Sequence, residues 1–160
     1  MTRNRKGQTA MEYLMTYGWA ILIIIIVAAA LFALGVFNPG TFTQSTSVGF
    51  SQFNVPTGSW QWLSTPDPDT FTIILANQAG SRIEVNNVVA TAGTSSVCDS
   101  GALTTQLAPN QESTFTIICG VGVNLVQGTA YTASVTITYD NLDTGLNDFR
   151  STGTVTGVVS

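Results

Sequence analysis

The side chains able to do chemistry are few in this chain: nine Asp and Glu, five Lys and Arg, two Cys and no His among 160 residues. Without an imidazole there is no Ser-His-Asp triad and no His-ligated zinc site. Cys98 and Cys119 are too few and too far apart for a zinc ribbon. In an oxidising exterior they would form a disulfide closing about 20 residues, worth roughly 3 kcal/mol of loop entropy; in a reducing setting they stay two buried thiols. Asp67 and Asp69, on either side of Pro68, offer a carboxylate pair of the kind used in glycoside hydrolysis, but no cleft motif places them. The run Asp140 to Asp148 concentrates oxygen ligands suited to Ca²⁺, yet its spacing is not that of an EF-hand loop, and a hairpin turn explains the same residues. No enzyme activity, metal or cofactor is therefore expected. The carboxylate in the most unusual setting is Glu12, which opens a long uncharged stretch. Taken unpaired into hydrocarbon it would cost several kcal/mol, so it needs either a cationic partner or a place in the solvated headgroup zone.

The element that carries Glu12 reads as a helix of membrane-spanning length. Thr16 to Phe37 is 22 residues without a charge, including the run Ile21 to Phe32. At about 1.5 Å per residue a helix there is roughly 33 Å long, enough to cross a hydrocarbon core. Tyr13, Tyr17 and Trp19 cluster at its start, where amphipathic rings prefer headgroups. Asn38-Pro39-Gly40 predicts that the helix stops near Phe37. Arg3, Arg5 and Lys6 crowd the N-terminus, which holds it cytoplasmic and sends the remainder outside. A secretory signal peptide has the same order, with Ala28-Ala29-Ala30 imitating a cleavage site, but its apolar core is only about 7 to 15 residues. Gly18, Ala20, Ala28, Ala29, Ala30, Ala33 and Gly35 permit close helix approach, a property shared with ordinary membrane helices. Charged residues are 9 % of the chain, against about 25 % in typical soluble domains. With mean hydropathy +0.29 and an isoelectric point near 4.3, the chain lacks the cationic surface that nucleic acid requires.

From Thr41 onward the apolar residues alternate. Tyr131, Ala133, Val135, Ile137 and Tyr139 take one face of a strand, with Thr and Ser on the other. Thr70-Phe71-Thr72-Ile73-Ile74 and Thr114-Phe115-Thr116-Ile117-Ile118 are near-identical strand segments, an echo with no functional weight of its own. Phe42 to Phe53, Trp60 to Leu63, Ile83 to Ala92 and Phe149 to Val159 bring the expected number of strands to about seven, separated by Pro, Gly and Asp turns. The pattern predicts an α+β chain: a long hydrophobic helix followed by an all-β, immunoglobulin-like antiparallel sandwich. In it Cys119 shares the Phe115 and Ile117 face, and Cys98 lies in the loop Thr94 to Val97, so that a bridge would pin loop to sheet.

The junction Arg5-Lys6-Gly7-Gln8-Thr9-Ala10-Met11-Glu12-Tyr13 resembles the class III signal peptide of archaeal type IV pilin-like proteins. The continuation Tyr13 to Ile21 is similar to archaeal pilins as well; the likeness covers Arg5 to about Phe37. It implies that a prepilin peptidase cuts between Gly7 and Gln8 after the basic Arg5 and Lys6, leaving two cationic side chains against nine carboxylates. On this resemblance, residues 1–7 are a cleaved leader, 8–38 the transmembrane and filament-core helix, and 39–160 an extracellular head. The helix is retained for assembly, and Glu12 faces the new amine of Gln8 on a neighbouring subunit. The implied partners are further copies of the chain in a helical homopolymer, the membrane before assembly, a pilus assembly ATPase and its membrane platform. The expected protein is a structural subunit of an adhesive surface filament, first in the membrane and then extracellular. The alternative is a β-domain held by one membrane helix that does not polymerise and acts as a binding or envelope protein.

Overall fold

The structure is a computed structural model and describes residues 6–37, 44–66, 68–93 and 96–160; of 6–10 and 96 it describes only the backbone. Arg5, Asn38-Pro39-Gly40 and Asp67 lie outside the described residues. The chain divides into two compact units, Met1–Thr41 and Phe42–Ser160.

The first unit is helix α1, Lys6–Ala33. It ends at Ala33 rather than at the expected Phe37, and its stop is Gly35. That glycine takes φ 69°, the left-handed region that costs residues with a Cβ. Gly35 N–H then donates to the Phe32 carbonyl at 3.1 Å and Val36 N–H to the Leu31 carbonyl at 3.1 Å. This paired arrangement satisfies the Leu31 and Phe32 carbonyls at the end of the helix.

The second unit is an antiparallel β-sandwich. One sheet has the order β1 (Thr46–Val48), β10 (Leu146–Val158), β9 (Ala130–Asn141), β5 (Ile83–Ala92) and β6 (Ser96–Asp99), with β7 (Thr105–Leu107) sharing the outer edge of β5. The other is built on β4 (Thr70–Asn77), flanked on one edge by β2 (Phe53–Asn54) and β3 (Trp60–Leu63) and on the other by β8 (Glu112–Ile118). The two expected strands Trp60–Leu63 and Ile83–Ala92 occur with those bounds. The segment expected as one strand, Phe42 to Phe53, is broken at Gly49, whose φ is 94°. β6 and β7 were not expected: at four and three residues they carry too little alternation to stand out from loops.

The alternation decides which residues enter the core. Tyr131, Ala133, Val135, Ile137 and Tyr139 of β9 are all buried, as are Ile83 and Val85 of the neighbouring β5 and Trp62, Phe71, Ile73 and Ile117 from the facing sheet. Trp62 packs on Phe71 and Tyr131 with ring centroids 5.4 and 5.5 Å apart. β10 contributes small residues to this face: a Cβ at Gly153 would meet the Phe50 ring at 2.5 Å, so glycine is what admits that ring.

The echoed segments turn out to be neighbours. They pair antiparallel about a centre at Thr72 opposite Thr116, with Phe71 opposite Ile117 and Ile73 opposite Phe115. Each buried phenylalanine thus meets a buried isoleucine across the strand, a pairing that suits the pleated inner face.

Candidate functional site

Two regions hold the residues singled out by type and spacing. In the first, α1, the stretch Met11–Ala33 is 23 residues long with mean hydropathy 2.4, and none of it is buried. Met11, Leu14, Ile21, Ile24, Ile25 and Phe32 are all more than half exposed. The consecutive residues Ile21, Leu22, Ile23 and Ile24 are each about half exposed or more, and because successive residues are about 100° apart they point to every side of the helix. For the same reason the consecutive Ala28, Ala29 and Ala30 do not form one stripe. A surface of this kind is covered by lipid or by other apolar protein.

Gly7 and Gln8 lie in the first turn of α1, and Glu12 follows one turn later, about 6 Å along the axis from Gln8. Glu12 is exposed. Its backbone carbonyl accepts from Thr16 Oγ1 at 3.0 Å, so Thr16 hides its hydroxyl within the helix, as polar residues in an apolar span must. Among the described residues no cation stands against the Glu12 carboxylate; the ion pair there is Arg82–Asp143, Nε to Oδ1 at 3.0 Å. Tyr13 and Tyr17, one turn apart, have ring centroids 4.1 Å apart on the side of the helix start.

The second region is the pair Cys98 and Cys119, joined in a disulfide across a sequence separation of 21. Cys98 lies in strand β6, not in a loop, and pairs with Ala90 of β5. Cys119 directly follows β8 and forms a bridge with Cys98. Both are buried. The bond therefore ties an edge strand of one sheet to an edge strand of the other, a correction to the expected link between loop and sheet. β3 and the residues that follow β10 are also joined, by Ser64 N–H to the Ser160 carbonyl and Ser160 N–H to the Trp62 carbonyl, each 2.9 Å.

Asp69 is the functional group whose placement the sequence does not reveal. It is fully buried. Its Oδ2 accepts from Trp62 Nε1 at 3.0 Å and from Leu125 N–H at 2.9 Å, and its Oδ1 from Thr65 N–H at 3.3 Å. Its backbone carbonyl accepts from Cys119 N–H at 2.8 Å. One carboxylate thus fastens the β3–β4 connection, the core tryptophan and the segment after β8, and a buried anion held by several N–H donors is compensated. So placed, Asp69 presents no carboxylate to solvent and cannot form an open dyad with Asp67. A Trp–carboxylate bond made seven residues apart leaves no signature in sequence.

The acidic run at 140–148 is a hairpin turn. Asn141 Oδ1 accepts from Asp143 N–H and Thr144 N–H at 3.1 and 3.0 Å, and Asp140 Oδ1 from Asp148 N–H at 2.9 Å. Asp143 is held below the usual carboxylate range, first by the Arg82 backbone N–H and then by the Arg82 side chain. Among the described residues no group of three or more His, Cys, Asp or Glu is arranged to hold a metal. Burial pushes the Tyr131 hydroxyl up from 10.0 to about 12, and Tyr139 shifts the same way for the same reason.

No protein-family model matches the chain, and no curated protein matches it in sequence.

Proposed function

We propose that the chain is a pilin, the structural subunit of an archaeal type IV pilus-like surface filament with an adhesive role. It would be held first in the membrane by α1, cut between Gly7 and Gln8 by a prepilin peptidase, and then extracted into a filament whose core is made of these helices. The observation that carries this reading is a helix without a single buried residue between Met11 and Ala33, preceded by Arg5-Lys6-Gly7-Gln8 and opened by Glu12. Cleavage removes the basic residues that hold the N-terminus on the cytoplasmic side. The released helix keeps an apolar surface that other copies can cover, and the Gln8 ammonium becomes a cation able to face Glu12. Catalysis has no part in this reading, and the disulfide suits an oxidising exterior.

The test is the N-terminal residue and intact mass of the protein recovered from sheared cell-surface filaments. The expected chain begins at Gln8 and retains Ile21 to Phe32. A chain that keeps residues 1–7 while remaining in the membrane would establish the non-polymerising anchored β-domain instead. Loss of the whole apolar run would make the segment a secretory signal.

A further inference from the structure

The charged residues of the head are not spread evenly along the sandwich. Arg82 precedes β5, Glu84 pairs with Asp140, Arg150 pairs with Thr138, Asp143 and Asp148 belong to the β9–β10 hairpin, and Glu112 opens β8 opposite Ala76. All of these lie in the half of the sandwich that contains this hairpin, and Asp99 is at mid-strand opposite Val89. At the other end β1 and β9 begin, β10 and β8 finish, and the described charged residue is Asp69, which is buried.

That uncharged end is apolar on its surface. Leu63 and Ile118 both flank Thr70 on the outer face of the smaller sheet, and they are 41 % and 66 % exposed. The segment after Cys119 adds Val121 at 90 % and Val126 at 70 % exposure. Their exposure does not come from a loose loop. Val123 of the same segment is buried, Leu125 N–H is held by Asp69, and turns close from Val123 N–H to the Gly120 carbonyl and from Thr129 N–H to the Val126 carbonyl, 3.1 Å each. The fold takes Val123 inward and fixes Val121 and Val126 outward. Leu146 and Phe149 at the opposite end are exposed too, but they stand among Asp143, Asp148 and Arg150.

We propose that this end of the head, presenting Leu63, Ile118, Val121 and Val126, docks on the apolar helix of a second copy of the chain. The inference rests on the filament reading above and adds to it a specific contact surface. A partner surface must be as free of charge as this patch, since a charge buried against it would lack a counter-ion. The stretch Thr16 to Phe37 is a surface of that chemistry, present once per chain. A bilayer fits less well, because the end has no described Lys, Arg or exposed aromatic ring to meet headgroups. The reach is short as well. Eight residues join Phe37 to Thr46, at most about 30 Å of extended chain. A head patch against a helix is a contact between unlike surfaces, and such contacts propagate into open assemblies.

The experiment places a photo-cross-linking phenylalanine analogue at Val121 or, as a control, at Thr144 in the hairpin, in the full chain expressed in its own cells. Adducts from the cell-surface and membrane fractions are mapped by mass spectrometry. The expected result is a covalent dimer from position 121, joined to residues 16–37 of another copy, and at least about tenfold less from position 144. Val121→Asp should lower recovered filament at least about tenfold, the effect of a buried unpaired charge, with both cysteines still unreactive to alkylation, while Val121→Ala retains most of it. Adducts to lipid alone, or no dimer from position 121 in chains that do form filaments, would overturn the proposal. If the unsubstituted chain forms no filament, the reading of function falls, and the cross-link is then decided on the membrane-bound chain: a dimer through residues 16–37 upholds the contact and a monomer refutes it.

Discussion

Ile73 in β4 and Ile23 in α1 are the same side chain in opposite circumstances: the first is fully buried between two sheets and the second is 51 % exposed. Burying such a side chain contributes about 1.5–3 kcal/mol. The head collects that contribution within one chain, whereas the helix must obtain it from lipid or from other apolar protein. The polar groups divide in the same way. Asp69 is satisfied by donors from its own unit, while among the described residues no cation accompanies Glu12. A unit that is complete and a unit that is not are joined in one chain.

The sharpest way to break this division is to damage each unit alone. Trp62→Ala removes the ring at the centre of the aromatic cluster and the donor to Asp69, and should destabilise the head by about 3–5 kcal/mol. Denaturant unfolding of the exported chain would register it, while membrane insertion of α1 stays unchanged; a loss of insertion would show that the two units depend on each other. Glu12→Ala is the converse. Insertion, cleavage and head folding should persist, because the span becomes slightly more apolar, but subunit recruitment should fail. The Gln8 ammonium is then left unpaired at a cost of about 3–5 kcal/mol per contact. Normal filament yield from Glu12→Ala cells would place the carboxylate in solvent beside the headgroups.

Two smaller effects sharpen the comparison within the head. The double variant Cys98→Ala, Cys119→Ala should lower head stability by roughly 3 kcal/mol in the loop-entropy account and leave filament formation intact wherever the head still folds; the unaltered protein, denatured without reductant, should bind no thiol reagent. The last effect is alkaline. Tyr131 holds its proton to about pH 12 in the folded head, above the ordinary tyrosine value, so the unfolded chain releases that proton first. Stability conferred by the neutral hydroxyl is complete below pH 10 and declines as pH rises from 10 through about 12. Denaturation midpoints at pH 9 and pH 11.5 should differ in that direction, and Tyr131→Phe should reduce the difference.

The parts of this molecule that a sequence reveals are those governed by local period. Trp60–Leu63 and Ile83–Ala92 are legible because every second residue is apolar, and the helix because charge is absent for so long. Gly35 was read among the small residues of the helix, yet it is the stop: a glycine announces freedom of φ without saying whether the chain will use it. β6 is hidden because its inward residue is Cys98, whose fate depends on a partner 21 positions away. Asp69 is hidden for the same reason, since Pro66 and Pro68 beside it read as a turn and nothing local says that a carboxylate will be folded inward. The candidate assembly residues, Gly7, Gln8 and Glu12, are legible as a motif, and the partners proposed for them lie on other molecules.

The pairing of β4 with β8 is palindromic. Because both strands carry Thr-Phe-Thr-Ile-Ile, the register that sets Phe71 against Ile117 would equally set Phe71 of one chain against Ile73 of another. Within these five residues side-chain chemistry does not distinguish the partner within the chain from a stranger's copy of β4 or β8. Selection between them falls to concentration: the native partner is tethered, and Cys119, one residue beyond β8, locks it beside β6 once the disulfide closes. Chains crowded together before oxidation would face the swapped pairing at its most competitive, and closing the Cys98–Cys119 disulfide would end that competition.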